Sequence, residues 1–148
     1  MESVQLPIAV SSTSHWAGRI LSGVALLFLL FDSGIKILKL APAVQGTVGL
    51  GYSETAVVPI GIVLLACTLL YAFPRTAIFG AVLLTGYLGG AVASQVRAGN
   101  PLFTHVLFPV YFACLLWGGL YLRDANLRAL VPLRRTGRNG GISVQKNS

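Results

Sequence analysis

Long runs of uncharged, mostly apolar residues alternate along the chain with single charged residues. Twenty uncharged residues separate Glu54 from Arg75, 21 separate Arg75 from Arg97, and 25 separate Arg97 from Arg123. Because the hydrocarbon core of a bilayer is about 30 Å thick, a helix needs about 20 apolar residues to cross it. Each of these three runs therefore predicts one transmembrane helix, with a single arginine at each turn.

A fourth helix is predicted near the beginning of the chain, although charges interrupt its pattern. Only 12 uncharged residues separate Arg19 from Asp32, yet the apolar pattern continues through Lys36 to Leu40. A cleaved signal peptide is the alternative interpretation, but no small-residue cleavage site follows promptly. We therefore expect an all-α, polytopic membrane protein, built as an antiparallel bundle of four transmembrane helices. These helices are expected over residues of about 16–38, 56–73, 76–97 and 102–122.

The composition excludes a water-soluble globular domain. Hydrophobic residues make up 55% of the 148 residues and charged residues only 10%, whereas soluble domains carry about 25% charged residues. The transmembrane domain is expected over residues 16–133, after a polar N-terminal segment (1–15) and before a basic C-terminal tail (134–148). Because most residues after Gly137 are small and polar, we expect the tail to be disordered.

The connections between the helices carry their own signals. Pro74 ends the second helix, and Thr76 is suited to cap the third. The longer connection over residues 40–55 contains three glycines and no clear periodicity, which predicts a loop. Pro109 is expected to kink the fourth helix and to free a backbone carbonyl one turn earlier.

Basic residues are concentrated at one end of the predicted bundle. Four crossings place both termini at that end, which collects eight of the 11 basic residues, while Lys36, Lys39 and Arg97 lie at the other. The positive-inside rule therefore predicts that both termini are cytoplasmic and that the protein lies in the cell membrane. The net charge of +7 comes mostly from the tail after Arg123 and indicates no nucleic-acid partner. The tail is expected either to lie on an anionic leaflet or only to flank the last span as a stop-transfer signal.

The predicted third helix is rich in small residues at helical spacing. Gly86 and Gly90 form a GxxxG pair, and Gly89 lies beside them. Because lipid provides no hydrophobic drive between helices, close contact through small residues stabilises membrane bundles. We expect these glycines to pack the third helix against its neighbours within the chain, with oligomerisation through the same surface as the alternative. Gly18 of the first helix and Gly118 of the fourth are available for similar contacts.

Ionisable side chains collect near the outer end of the predicted bundle. Asp32 and Lys36 lie four residues apart on one face of the first helix and are expected to pair. Arg97 ends the third helix at this end, and His105 begins the fourth. Because ionisable groups inside a membrane span are costly, they are candidates for a ligand site. The alternative is structural: the basic side chains reach the lipid head groups, and Asp32 only neutralises Lys36.

Two tyrosines, Tyr87 and Tyr111, extend this polar cluster toward mid-membrane, where their hydroxyls need hydrogen-bond partners. The sequence contains no serine–histidine–acid set, nucleotide-binding loop or metal-ligand spacing. We therefore predict no catalytic residue and no metal site in this chain. Cys67 and Cys114 are expected to be small hydrophobic residues and not a redox pair.

The third span and its flanks also carry a family resemblance. Its most specific stretch runs from Tyr71-Ala-Phe-Pro74-Arg75-Thr76-Ala77 through Thr85-Gly86-Tyr87-Leu88-Gly89-Gly90-Ala91 to Arg97. Over roughly residues 16–133, the chain resembles the DoxX-like family of small four-helix bacterial membrane proteins. The resemblance implies a multi-pass protein of the bacterial inner membrane.

For function, the resemblance implies an association with redox systems. The broader family is named for membrane subunits of thiosulfate:quinone oxidoreduction, which suggests a quinone-like lipid as ligand or cofactor and a redox protein as partner. We expect a membrane subunit that binds a lipophilic ligand near the outer leaflet and leaves the redox step to its partner. The alternative is a non-enzymatic scaffold or a small-solute permeation protein without chemistry of its own.

Overall fold

A computed structural model of the chain describes residues 12–130, and this part contains helices and no strands. Most of the predicted segment 1–15 and the whole predicted tail 134–148 lie outside the described residues. A 3₁₀ turn over Glu54–Ala56 precedes the third α-helix, and a π-helical turn over Leu102–Val106 precedes the fifth. The α-helices are α1 (Ser12–Ile37), α2 (Ala41–Gly49), α3 (Val57–Ala72), α4 (Ala77–Arg97), α5 (Phe108–Arg123) and α6 (Ala125–Leu130).

Four segments are long and apolar enough to cross a membrane, which confirms the predicted all-α fold with four membrane-spanning helices. α1 packs against α3 and α5, and α4 packs against the same two helices, so α1 and α4 occupy opposite corners of the bundle. We call the end of the bundle with Ser12, Pro74 and Arg123 the terminal end, and the other end the distal end. The four segments are His15–Ile37, Glu54–Ala72, Ala77–Arg97 and Leu102–Arg123, with mean hydropathies between 1.6 and 2.2.

The connection after α1 differs from its prediction, because it contains the helix α2. Pro42 lies in the first turn of α2, where the missing N–H of proline removes no helical hydrogen bond. Ala43 and Thr47 form its buried face, and α2 packs against α1 and α3. The loop prediction was wrong, and the reason lies in the composition of α2. Its nine residues are small or apolar apart from one glutamine, so they show no amphipathic pattern that would predict a helix.

The fourth span is interrupted where the sequence predicted one continuous helix. The π-helical turn ends at Val106, α5 begins at Phe108, and Pro109 therefore lies in the first turn of α5. At this position the proline ring breaks no interior hydrogen bond. The expected kink is replaced by a change of helix type just before the proline.

Close helix packing occurs at two contacts toward the terminal end, one between α1 and α5 and one between α3 and α4. A Cβ on Gly18 would lie 2.9 Å from the carbonyl oxygen of Gly119, so α1 and α5 touch backbone to backbone. A Cβ on Gly80 would lie 2.3 Å from the backbone nitrogen of Tyr71, which brings α4 against α3. The contact expected at Gly118 is made by its neighbour Gly119, since a Cβ on Gly118 would have nothing within 4 Å among the described residues.

The three glycines that were expected to pack α4 do not make such contacts within residues 12–130. A Cβ built on Gly86, Gly89 or Gly90 would meet no atom within 4 Å. The buried face of α4 instead has small residues in the first turns of the helix, and Leu84 and Leu88 come after them at helical spacing. These leucines fill the space between the helices, so the expected close packing through the glycines does not hold inside the described chain.

Tyr71 is fully buried where α1, α3 and α5 meet. Its hydroxyl donates a hydrogen bond to the carbonyl of Leu116 at 2.9 Å and lies 3.0 Å from Ser22 Oγ. The Arg123 guanidinium lies over the Tyr71 ring, 5.1 Å from its centroid, and donates to the Tyr71 carbonyl at 3.4 Å. One side chain thus connects three helices at the terminal end.

Candidate functional site

A cavity of about 410 Å³ lies in the distal half of the bundle, and we call it the Lys36 cavity. The Phe28 and Phe112 rings stack with their centroids 4.1 Å apart, and Phe108 packs edge-on against Phe28 at 5.6 Å. Small-molecule sites commonly have volumes of about 300–1,000 Å³ and mostly apolar walls. The Lys36 cavity fits this description, since its apolar lining consists chiefly of Phe28, Leu29, Ile60, Leu88, Phe108 and Phe112.

An ion pair lines this largely apolar cavity. Lys36 Nζ donates to Asp32 Oδ1 within α1, and the two side chains are 15% and 26% exposed. Gly61 allows α3 to approach α1 here, because a Cβ at this position would lie 2.8 Å from Lys36 Cβ. An ammonium group has three N–H donors. Asp32 takes one of them, so among the described residues two donors of Lys36 stay available to an acceptor in the cavity.

α4 contributes hydroxyl and amide groups to the same cavity. Tyr87 lines it half-buried, and within residues 12–130 its hydroxyl forms no hydrogen bond. Ser94 Oγ donates to the carbonyl of Gly90 at 2.9 Å, and Gln95 Oε1 accepts a hydrogen bond from the Asn100 side chain. Tyr87 is therefore the side chain of α4 that offers a free hydroxyl to a ligand.

Two of the open glycines of α4 border the cavity. Gly86 and Gly90 line it and are exposed at the surface of the bundle. Gly89 is equally open, but it does not line the cavity. Because Gly86 and Gly90 have no side chains, they widen the cavity toward the outside of the bundle.

The connection between α1 and α3 lies against the distal part of the cavity. Tyr52 hydrogen-bonds to Ser94, with 2.7 Å between the hydroxyl oxygens. Arg97 donates to the Leu50 carbonyl at 2.7 Å, and its guanidinium lies 5.8 Å from the centroid of the Tyr52 ring. Gly51 has a φ of +85°, a conformation that favours glycine, and a Cβ there would lie 3.1 Å from Arg97 Nη2. Two side chains of α4 thus hold this connection in place.

The structure brings together half of the predicted polar residues. Asp32, Lys36 and Tyr87 line the Lys36 cavity. Arg97 does not line it, but it holds the adjacent connection through Leu50. The helical rise predicts these positions well because α1 and α4 are uninterrupted helices.

His105 and Tyr111 are not part of this cavity, and both are exposed. His105 Nδ1 lies 2.8 Å from the Thr104 hydroxyl, and the Tyr111 hydroxyl donates to the Phe103 carbonyl at 3.4 Å. A π-helical turn changes the angle between successive side chains, so it alters the register of the segment before α5. The sequence predicted how deep these two residues lie in the bundle, but it did not predict the direction in which their side chains point.

Sequence reasoning did not identify four polar residues that line the cavity: Thr47, Tyr52, Ser94 and Gln95. Ser94 follows Gly90 by four residues on the same face of α4, and this spacing was an available signal. Tyr52 had none, because its position depends on α2, which the sequence did not predict.

Within residues 12–130, no group of three or more histidine, cysteine, aspartate or glutamate side chains is placed to hold a metal ion. Cys67 is buried and Cys114 is exposed, and both are free thiols. The polar groups that line the Lys36 cavity offer hydrogen bonding and charge.

A family model described as the DoxX-like family matches residues 20–119, well over half of the chain. The chain belongs to the DoxX-like family. It is a multi-pass membrane protein of that family, and the resemblance seen in the third span is confirmed. No curated protein and no solved structure matches this chain. All residues that line the Lys36 cavity, from Phe28 to Phe112, lie within the segment that matches the DoxX-like family.

Proposed function

We propose that this DoxX-like protein binds a lipophilic ligand with a polar head group of the quinone type in the Lys36 cavity. One observation carries the proposal: within residues 12–130, donors of Lys36 and Tyr87 remain unused in a cavity whose walls are mainly aromatic and aliphatic. Polar groups away from water need hydrogen-bond partners. The carbonyl oxygens of a quinone are acceptors attached to a flat apolar ring, so they match these donors.

The walls of the cavity support a ligand of this shape. Aromatic rings prefer offset-stacked or edge-to-face neighbours at about 4.5–7 Å. Phe28, Phe108 and Phe112 offer such faces to a flat ring. The open side at Gly86 and Gly90 gives an apolar tail a path from the cavity to the surrounding lipid.

In this proposal the chain is a membrane subunit or accessory of a redox system. Lys36 and Tyr87 hold and orient the head group, and a partner redox protein exchanges electrons with it. We place the protein in the cell membrane with both termini in the cytoplasm, because four of the seven lysines and arginines that the structure describes lie at the terminal end: Arg19, Arg75, Arg123 and Arg128. The Lys36 cavity then lies toward the outer leaflet.

The proposal is tested by measuring the affinity of the purified protein, in lipid nanodiscs, for a short-tailed ubiquinone analogue. Gly90→Leu places a side chain in the open side of the cavity, and we expect binding about tenfold weaker, equivalent to about 1.4 kcal/mol. Gly89→Leu is the matched control. It makes the same change one residue away, at a glycine that is equally open but outside the cavity, and it should leave the affinity unchanged.

A second variant tests the polar part of the site. Asp32→Asn combined with Lys36→Met removes both charges without leaving one unpaired. We expect the analogue to bind about ten- to a hundredfold more weakly, because a hydrogen bond to a charged group contributes about 1.5–3 kcal/mol. Equal affinity in all variants, or no binding to the unmodified protein, would contradict the proposal. The non-enzymatic scaffold would then be favoured, with the ion pair setting the register of α1.

A further inference from the structure

A second cavity, of about 600 Å³, lies at the terminal end of the bundle. It lies among the first turns of α1, the turn between α3 and α4, and the end of α5. We call it the Arg19 cavity, and it shares no lining residue with the Lys36 cavity. Its polar lining consists of His15, Arg19, Arg123 and Asp124, and Pro74 and Leu120 belong to its apolar lining.

Basic groups predominate in the Arg19 cavity. His15 and Arg19 lie one turn apart on α1 and are exposed, and within residues 12–130 neither forms a hydrogen bond or an ion pair. Arg123 is held against Tyr71 by the ring contact and one hydrogen bond. A guanidinium has five N–H donors, so within the described part of the chain Arg123 keeps most of its donors while its position is restrained.

One acidic residue lies beside these bases. Asp124 Oδ1 accepts a hydrogen bond from the Leu127 N–H at 3.3 Å, which caps the start of α6. Its carboxylate is thus engaged with the backbone of α6. Among the residues that the structure describes, two arginines against this one carboxylate leave the cavity with a net positive charge.

We propose that the Arg19 cavity binds the phosphate of an anionic phospholipid head group. The planar guanidinium matches phosphate oxygens in pairs, and Arg19 and Arg123 both line the cavity. Pro74 and Leu120 provide apolar surface for the first carbons of the lipid chains. The cavity lies where α1, α3, α4 and α5 begin or end, at the level of lipid head groups for a bundle of this length.

The experiment compares two variants that remove the same charge at the same end of the bundle. Arg19→Gln changes the cavity, whereas Arg75→Gln changes an exposed arginine that does not line it. The midpoint of thermal unfolding is measured in detergent with added phosphatidylglycerol, phosphatidylcholine or inorganic phosphate. A ligand that binds only the folded protein raises this midpoint.

We expect phosphatidylglycerol to stabilise the unmodified protein and Arg75→Gln equally, and Arg19→Gln by less than half as much. Phosphatidylcholine should stabilise less, because its choline cancels the charge of its phosphate. If inorganic phosphate alone gives the full shift and Arg19→Gln removes it, the site is supported, with soluble phosphate as the source of the ligand. The proposal would be overturned if both variants lost the same part of the stabilisation by phosphatidylglycerol, or if both lipids stabilised the protein equally. It would also be overturned if no additive raised the unfolding midpoint.

Discussion

The terminal and distal halves of the bundle use the same pair of residue types in opposite ways. At the terminal end, Ser22 and Tyr71 share a hydrogen bond that is buried between helices. At the distal end, Ser94 and Tyr52 share a similar bond, but Tyr52 is exposed on the connection that follows α2. The first bond joins two membrane-spanning helices, and the second holds a connection beside a cavity.

The glycines show the same contrast. Gly80 and Gly119 allow the backbone of a neighbouring helix to approach, so no space remains at these positions. Gly86 and Gly90 face no helix within the described residues, and their missing side chains leave part of a cavity open. A glycine in a membrane helix thus allows a neighbouring helix to come close, or it leaves open space where no helix lies beside it.

The largest expected effect tests the contrast between the glycines. Gly80→Ala would place a Cβ 2.3 Å from the backbone of Tyr71, and we expect the free energy of unfolding to fall by about 2–3 kcal/mol. Gly86→Ala meets open space and should leave stability unchanged or raise it by up to about 1 kcal/mol, since alanine favours helix. Reversible unfolding of the purified protein in detergent measures both values. Similar losses of unfolding free energy in the two variants would show that Gly80 and Gly86 do not differ in helix contact.

The ion pair of the distal half comes next. Asp32→Asn leaves the Lys36 ammonium without its carboxylate, and we expect a loss of about 2 kcal/mol, between the values for exposed and buried pairs. Adding Lys36→Met should recover part of this loss, because no charge is then left unpaired. An unchanged unfolding curve for the single variant would mean that the pair does not stabilise the bundle.

A smaller effect separates the two serine–tyrosine pairs. Tyr71→Phe removes a buried hydroxyl with two partners, and we expect a loss of about 1 kcal/mol. Tyr52→Phe removes a part-buried hydroxyl that bonds only to Ser94 among the described residues, and it should cost less than half as much. Thermal unfolding of both variants, measured side by side, provides the comparison. A loss at Tyr52 equal to that at Tyr71 would contradict different roles for the pairs.

The smallest effect on stability is expected for Arg97→Gln, and it is local. Arg97 holds the connection through the Leu50 carbonyl and the Tyr52 ring, so its loss should increase hydrogen exchange over residues 47–53. Global stability should change by no more than about 0.5 kcal/mol. Arg75→Gln, at the terminal end, serves as the control and should leave exchange in this segment unchanged. Equal exchange in both variants would show that Arg97 does not restrain the connection.

Part of the candidate site was predictable because two of its walls are regular helices. Asp32, Lys36 and Tyr87 were identified from their charge or hydroxyl and from the helical rise, and all three line the Lys36 cavity. His105 and Tyr111 were placed at a suitable depth, but they are exposed outside this cavity. The direction of the His105 side chain depends on the π-helical turn, which has no distinct sequence pattern.

The sequence by itself determined the number of spans and the positions of most turns. Transferring a charge into lipid is costly for each residue separately, so the spacing of Arg75, Arg97 and Arg123 is enough to count helices. Contact between helices depends instead on pairs of residues that lie far apart in the chain. Only the tertiary structure therefore decided that Gly80 meets Tyr71 while Gly90 borders a cavity, because helix packing leaves no room at one position and open space at the other.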